Sequence, residues 1–179
     1  MKLSPSELEA DGWAFALDVY ARPGIADACL SLQNEAGVDV MMLLVIAFAA
    51  ARLRILLTPA EIHELDEACR PWREQIVWPL RAIRSGLKSG PMPAPSSDTE
   101  QFRSKIKTVE LAAERLQNKL LTERLPQRPP GPDAVTAQEV GTILGCVVTL
   151  FVGKRGKTPD DDLFPSIDKI VAAVMQKVS

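Results

Sequence analysis

The sequence is poor in the residues that ordinarily announce chemistry. It has one histidine, three cysteines and only 5% aromatic residues in 179 positions. A His-based catalytic pair is therefore possible only around His63. Cys29, Cys69 and Cys146 stand far apart, so no close-spaced pair suggests a disulfide or a thiolate metal site. No Gly-rich phosphate loop, H-E-x-x-H, G-x-S-x-G or dinucleotide fingerprint occurs. The "VGKRGKT" segment around Gly153, Lys154 and Gly156 has the wrong spacing for a phosphate loop. No cofactor is implied. Charge of one sign is also lacking: Lys plus Arg is 21 against Asp plus Glu 23, a formal charge of -2. No global field draws the chain to nucleic acid. The longest apolar run, Val40 to Ala51, is too short for a membrane span and is closed by Arg52 and Arg54, so no transmembrane segment is expected. The opening "MKLSPSELEADGW" has no apolar stretch of the signal-peptide kind. With an odd number of cysteines, this makes a reducing cytoplasm the expected setting.

What is present is a soluble-protein composition, 46% apolar and 25% charged, cut into three blocks by proline. Half of the 14 prolines lie in two stretches, Pro91, Pro93 and Pro95, then Pro126, Pro129, Pro130 and Pro132. Proline fixes φ and removes an amide donor, so both stretches are expected to be linkers. No repeat relates the blocks.

Helical periodicity fills the rest. In the first block Asp11 can cap a helix carrying Trp13, Ala16, Leu17 and Tyr20 at i, i+3, i+4, i+7. After the Pro23-Gly24 break, Ile25, Ala28, Cys29 and Leu32 repeat that spacing up to Gly37. Asp39 can cap a third helix, apolar nearly all round, which belongs at the middle of a bundle and is expected to run from Val40 to Leu57. Thr58-Pro59-Ala60-Glu61 is a capping box with proline at the first helical position. Pro71 is expected to interrupt that helix. The stripe Trp72, Ile76, Leu80, Ile83 and Leu87 follows, with a kink at Pro79.

The second block opens on Ser97-Asp98-Thr99-Glu100, another box. Phe102, Ile106, Val109, Ala113, Leu116 and Leu120 then form a coiled-coil-like seam suited to an intramolecular hairpin. In the third block Thr136 and Glu139 form a box. The β-branched run "CVVTLFV" would suit a strand by propensity, but no partner strand is evident and a helix is the expectation. Pro165 opens a last helix with Ile167, Ile170, Val171, Val174 and Val178 on one face. The chain is thus expected to be all-α, with seven or eight helices around a central apolar one. Residues 1–124 would form the core domain and 125–179 a C-terminal helical pair packed on it.

The strings "WAFALDVYARPGIADACLSLQNEAGVDVMMLL" and "PWREQIVWPLRAIRSGLK" resemble a bacterial family of uncharacterised helical proteins, a domain of unknown function. Its members share W-x-F-x-L-x-x-Y-x-x-P-G, A-C-L-x-L-Q, G-x-D-V and W-R-x-x-V-x-x-P-L-R. These correspond to Trp13, Phe15, Leu17, Tyr20, Pro23 and Gly24, then to Ala28, Cys29, Leu30, Leu32 and Gln33, then to Gly37, Asp39 and Val40, and finally to Trp72, Arg73, Val77 with Ile76 beside it, Leu80 and Arg81. Where members often carry Asn after the Asp-Val pair, this chain has Met41. The likeness runs from Trp13 to the "VELAAERLQNKLL" helix. The family has no established activity, so the resemblance implies kinship without a mechanism.

The residues with site potential each have a plain structural explanation. His63 lies on an acidic face with Glu61, Glu64, Asp66 and Glu67, which the helix dipole favours near an N-terminus, and a metal is not expected. Cys29 and Cys146 read as core, and only Cys69, beside Arg70, has an electropositive neighbour. Asp39 reads as an N-cap and Gln33 as a partner for loop carbonyls. If Arg22 or Arg81 folded onto Asp39, the group would be a buried polar cluster beside a pocket. Arg70, Arg73, Arg81, Arg84 and Lys88 share one helical face. That stripe either pairs with the acidic helix before it or offers itself to an anionic partner.

Two functions remain open. One is a non-catalytic adaptor that contacts an anionic protein partner through Arg73, Arg81, Arg84 and Lys88 with Trp78. The other is a protein for a small anionic or apolar ligand, a lipid or an enzyme substrate, with Trp13, Tyr20, Gln33, Asp39 and Arg81 lining a pocket. Nucleic acid is disfavoured because the patch is short and no aromatics interleave it.

Overall fold

The computed structural model describes residues 4–131 and 133–176, so Pro132 and Val178 lie outside the described residues. It is all-α, and no strand occurs among the described residues. Helix α1 spans Pro5–Tyr20 and is capped by Ser4 in a box with Glu7, so Asp11 lies inside the helix rather than at its start. Ser4 is the stronger signal because Pro5 follows it, preset for a first helical turn. The face of α1 that enters the core is Gly12, Phe15, Ala16 and Val19. Leu17 and Tyr20, which share the helical spacing of Trp13 and Ala16, stay exposed.

Helix α2, Ile25–Ser31, runs into a π-helical turn at Leu32–Ala36 and stops at Gly37, whose φ is 72°. Glycine is needed there twice over: for the left-handed backbone, and because an added Cβ would lie 3.1 Å from Nε of Arg155. Helix α3, Val40–Ala51, is the central rod, with every residue from Met42 to Ala50 buried. It ends earlier than the apolar pattern suggested. Arg54 takes a left-handed conformation (φ 55°), and the Ile55 amide bonds back to Ala49. Ile55 and Leu57 are thereby buried from outside the helix.

Helix α4, Pro59–Trp72, has the expected Thr58–Glu61 box, but Pro71 does not end it. The chain continues as a π-helical turn, Arg73–Val77, into α5, Trp78–Gly86, with the Trp78 amide donating to Arg73 five residues back. Pro71 sits within the last turn of α4, and the wider turn after it moves a carbonyl away from the Pro79 ring. Helix α6, Ser97–Glu123, is capped by Ser96 with Thr99, one residue before the expected box. Helix α7, Ala137–Lys154, contains the "CVVTLFV" run, and α8, Phe164–Met175, begins one residue before Pro165, which lies in its first turn.

Helix α3 packs against α1, α6, α7 and α8, while α5 folds back on α6 as a hairpin. By length and composition α7 alone among the described helices could cross a membrane. Seven of its residues, from Val140 to Val152, are buried in the bundle, as in an interior helix.

The α6 seam is only partly turned to the core: Ala113 is buried and Leu120 packs against the core. Phe102, Val109 and Leu116 are 50%, 52% and 55% exposed. Beside Ala113 the buried face carries Glu110, Gln117, Asn118, Leu121 and Thr122. Helix α5 likewise buries no residue fully, and Ile76 and Ile83 remain in solvent. Periodicity identified both helices but misplaced part of the face that turns inward. The polar face of α6 has its hydrogen-bonding partners inside the bundle, and those fix its rotation.

Candidate functional site

Two polar assemblies flank the start of α3. The first is dry. Arg73, held in the π-helical turn after α4, is 1% exposed. Its Nη1 donates to Oδ1 of Asp66 at 2.9 Å and to Oδ2 of Asp39 at 3.3 Å. Lys154 of α7 bonds the other oxygen of Asp66. Gln117 of α6 and the thiol of Cys69 both donate to Oδ2 of Asp39. Asp39 also caps α3 as expected, accepting from the Met42 amide at 3.1 Å. The guanidinium lies 5.3 Å from the ring of Trp78 and 5.1 Å from that of Phe151, within cation–π range. Burial works against its charge, but Asp39 and Asp66 outweigh it and raise its pKa. Two cations face two carboxylates, so the cluster is internally neutral.

Burial also pushes the Cys69 thiol up to about 12, with Asp39 adding to the effect, and burial alone does the same to Cys29. Neither thiol is a nucleophile at neutral pH, and the electropositive setting read for Cys69 is cancelled by Asp39. His63, Asp66 and Glu67 place their ligand atoms within 4.8 Å of one another. Both oxygens of Asp66 are already held by Arg73 and Lys154, so this group is explained without a metal.

The second assembly is open. A cleft of about 620 Å³ lies between α1, the end of α2, the first turn of α3, and the α5–α6 hairpin. Trp13, Leu17 and Tyr20 of α1 form one wall, and Leu111 with Glu110 and Glu114 of α6 the other. Arg81 is the hub of its polar side. Its Nε donates to Glu110 at 2.9 Å, Nη1 donates to Oε1 of Gln33, and Nη2 to Glu114. Arg84 grips both oxygens of Glu110.

The two carboxylates are driven apart. Burial opposes the charge of Glu110, yet the hydrogen bonds from Arg84 and Arg81 win and lower its pKa. At Glu114 burial wins over Arg81 and raises it. Tyr20 is raised as well, by burial and then by Cys29 and Glu114. Lys88 and Lys107 also line the cleft, and neither has an ion-pair partner among the described residues.

The fold thus brings together Trp13, Tyr20, Gln33, Arg81, Arg84 and Lys88 from the candidate set. It leaves out Asp39, Arg73 and Trp78, which belong to the dry cluster. Asp39 does acquire a buried arginine, but it is Arg73. Arg22 instead pairs with Asp18 at 2.6 Å and bonds the Ala173 carbonyl of α8. The cationic stripe does not pair mainly with the helix before it: Arg81 and Arg84 turn to α6, and only Arg73 and Arg70 meet acids of α4.

Sequence reading missed Lys107, Glu110, Leu111 and Glu114. The one available signal was the i, i+4 pair of glutamates beside an apolar seam, an arrangement common on solvated helices.

Every cleft residue named above lies within residues 11–121, and that stretch matches the family described as "Protein of unknown function (DUF2390)". Helices α7 and α8 lie beyond it. None of the curated proteins and none of the solved structures is matched. With more than half of its length matched, the chain belongs to the DUF2390 family of proteins of unknown function.

Proposed function

We propose that the chain is a non-catalytic binding protein for a small, partly apolar molecule that occupies the cleft between α1 and the α5–α6 hairpin. The observation carrying this reading is the convergence of incompletely buried apolar side chains, Leu17, Tyr20, Leu30 and Leu111, on a hydrogen-bonded polar hub at Arg81. Ligand sites are apolar concavities of about 300–1,000 Å³ with a few fixed polar groups, and about 620 Å³ lies inside that range. Gln33 sits in a π-helical turn, a feature often found at functional positions. The test is native mass spectrometry of protein purified without denaturation, alongside a Leu111→Asp variant. A retained small molecule that the variant loses supports the reading. A ligand-free protein whose melting is unmoved by a panel of apolar metabolites removes it.

The adaptor reading keeps one supporting observation: Ile76, Trp78 and Ile83 are exposed beside the hairpin. Its basic stripe is weaker than the shared helical face suggested, because Arg73 is buried and Arg81 and Arg84 are neutralised by Glu110 and Glu114. A pull-down with Ile83→Asp that retains all partners of the unaltered protein would dispose of it.

A further inference from the structure

The charge around the cleft narrows what it holds. Arg81 spends its three nitrogens on Glu110, Gln33 and Glu114. Arg84 is committed to Glu110. Those two arginines and two glutamates form a frame whose charges cancel. Lys88, just past the end of α5, and Lys107 of α6 are different. Both line the cleft, both are exposed, and neither has an ion-pair partner among the described residues. The cleft therefore carries an uncompensated charge of two lysines beside a wall of Trp13, Leu17, Leu30, Met41 and Leu111. A lysine is a mobile point charge on an apolar stem, which can lie along a hydrocarbon chain while its ammonium meets an acidic head.

Resting on the cleft-binding reading, we infer that the ligand is a single-chain amphiphile with one anionic head group, its chain along the α1 wall and its head between Lys88 and Lys107. The chemistry shared by an alkyl carboxylate and an alkyl phosphate is what the pair recognises: a compact anion able to accept charge-assisted hydrogen bonds.

The experiment is isothermal titration of the full chain with dodecanoate, dodecyl phosphate, dodecanol and dodecylammonium, each below its aggregation threshold. At least one of the two anions binds about tenfold tighter than the alcohol, the gain expected from two partly solvated ion pairs. The Lys88→Ala/Lys107→Ala double variant loses most of that preference while its affinity for dodecanol stays unchanged. Raising ionic strength narrows the gap in the same direction. Both lysines are exposed, and circular dichroism checks that the double variant retains its helix content.

The two anions separate the sources, since tighter carboxylate points to a fatty acid and tighter phosphate to a phosphorylated lipid. Equal binding of alcohol and anions, or tighter binding of the ammonium, overturns the anionic head but leaves the cleft reading standing, provided Leu111→Asp abolishes it. No binding by any of the four overturns this inference. The cleft reading then stands or falls on whether native mass spectrometry finds another ligand there.

Discussion

Arg73 and Arg81 lie on one continuous helical run, yet they do opposite work. Arg73 is 1% exposed and meets Asp39 and Asp66 in a cluster that two aromatic rings and Lys154 close off. The side chain of Arg81 is 23% exposed and faces a cleft. Both are surrounded by carboxylates, so neighbouring charge alone does not distinguish them. What differs is water. A dry cluster must balance its charges internally, because an unpaired buried ion costs several kcal/mol. An open one can leave cations such as Lys88 and Lys107 unpaired, since solvent covers the shortfall until a ligand replaces it.

The largest effect should come from breaking the dry side of that comparison. Arg73→Met leaves Asp39 and Asp66 buried against each other and is expected to cost about 3–5 kcal/mol. Arg81→Met leaves Glu110 with Arg84 and Glu114 reachable by water, and should cost about 1 kcal/mol. Urea unfolding of both variants gives the two numbers directly. Equal losses would dissolve the distinction between a structural cluster and a binding one.

A smaller effect sharpens the geometry between the two sites. Gly12 lets α1 approach α6: an added Cβ would sit 2.9 Å from Cγ2 of Thr122. That methyl cannot swing away freely, because Oγ1 of Thr122 donates to the carbonyls of Asn118 and Lys119. Gly12→Val should therefore lower stability by about 1–3 kcal/mol through overpacking. It should also prise apart the two cleft walls, because Trp13 and Leu17 follow on α1 and Glu114 lies on α6. Melting temperature and ligand titration on the same sample check both parts. A variant that melts normally would show that the helices can slide without strain.

The same comparison explains what could be read from the sequence. Local signals carried well: Asp39 and Thr58 cap where their side chains can reach an amide three residues on, and such geometry depends only on the chain itself. The "CVVTLFV" run folded as helix because burial against α3 and α8 overrides β propensity. The central helix was legible because it is apolar on every side, so its rotation does not matter. Rotation did matter for α6. Its apolar seam competed with a polar face whose Glu110, Gln117 and Asn118 find partners on α5, at Asp39 and on α1, and those partners are distant in sequence. The cleft was half legible for the same reason. Trp13, Tyr20, Gln33 and Arg81 could be grouped from the first block, whereas Glu110, Glu114 and Lys107 belong to the α6 face read as solvated.

The smallest effect tests the electrostatics by sign rather than size. Glu61 is held at about 2 by its hydrogen bond from Arg128, with Thr58 assisting. Because the folded value lies below the ordinary 4.5, the ionised form favours folding. The contribution is complete above about 4.5 and is lost as pH falls toward 2. Glu114 is shifted the other way, raised by burial. There the unfolded chain releases its proton first, so the contribution is complete below 4.5 and is lost as pH rises through the folded value. Subtracting the unfolding free energies of Glu61→Gln and Glu114→Gln from those of the unaltered protein between about pH 2 and 7 should give differences of opposite slope, each about 1 kcal/mol or less. A level line for Glu114 would mean that it is as ionised and as well solvated as a surface carboxylate. The cleft would then be wet to its floor, with no desolvated wall against which an apolar chain could lie.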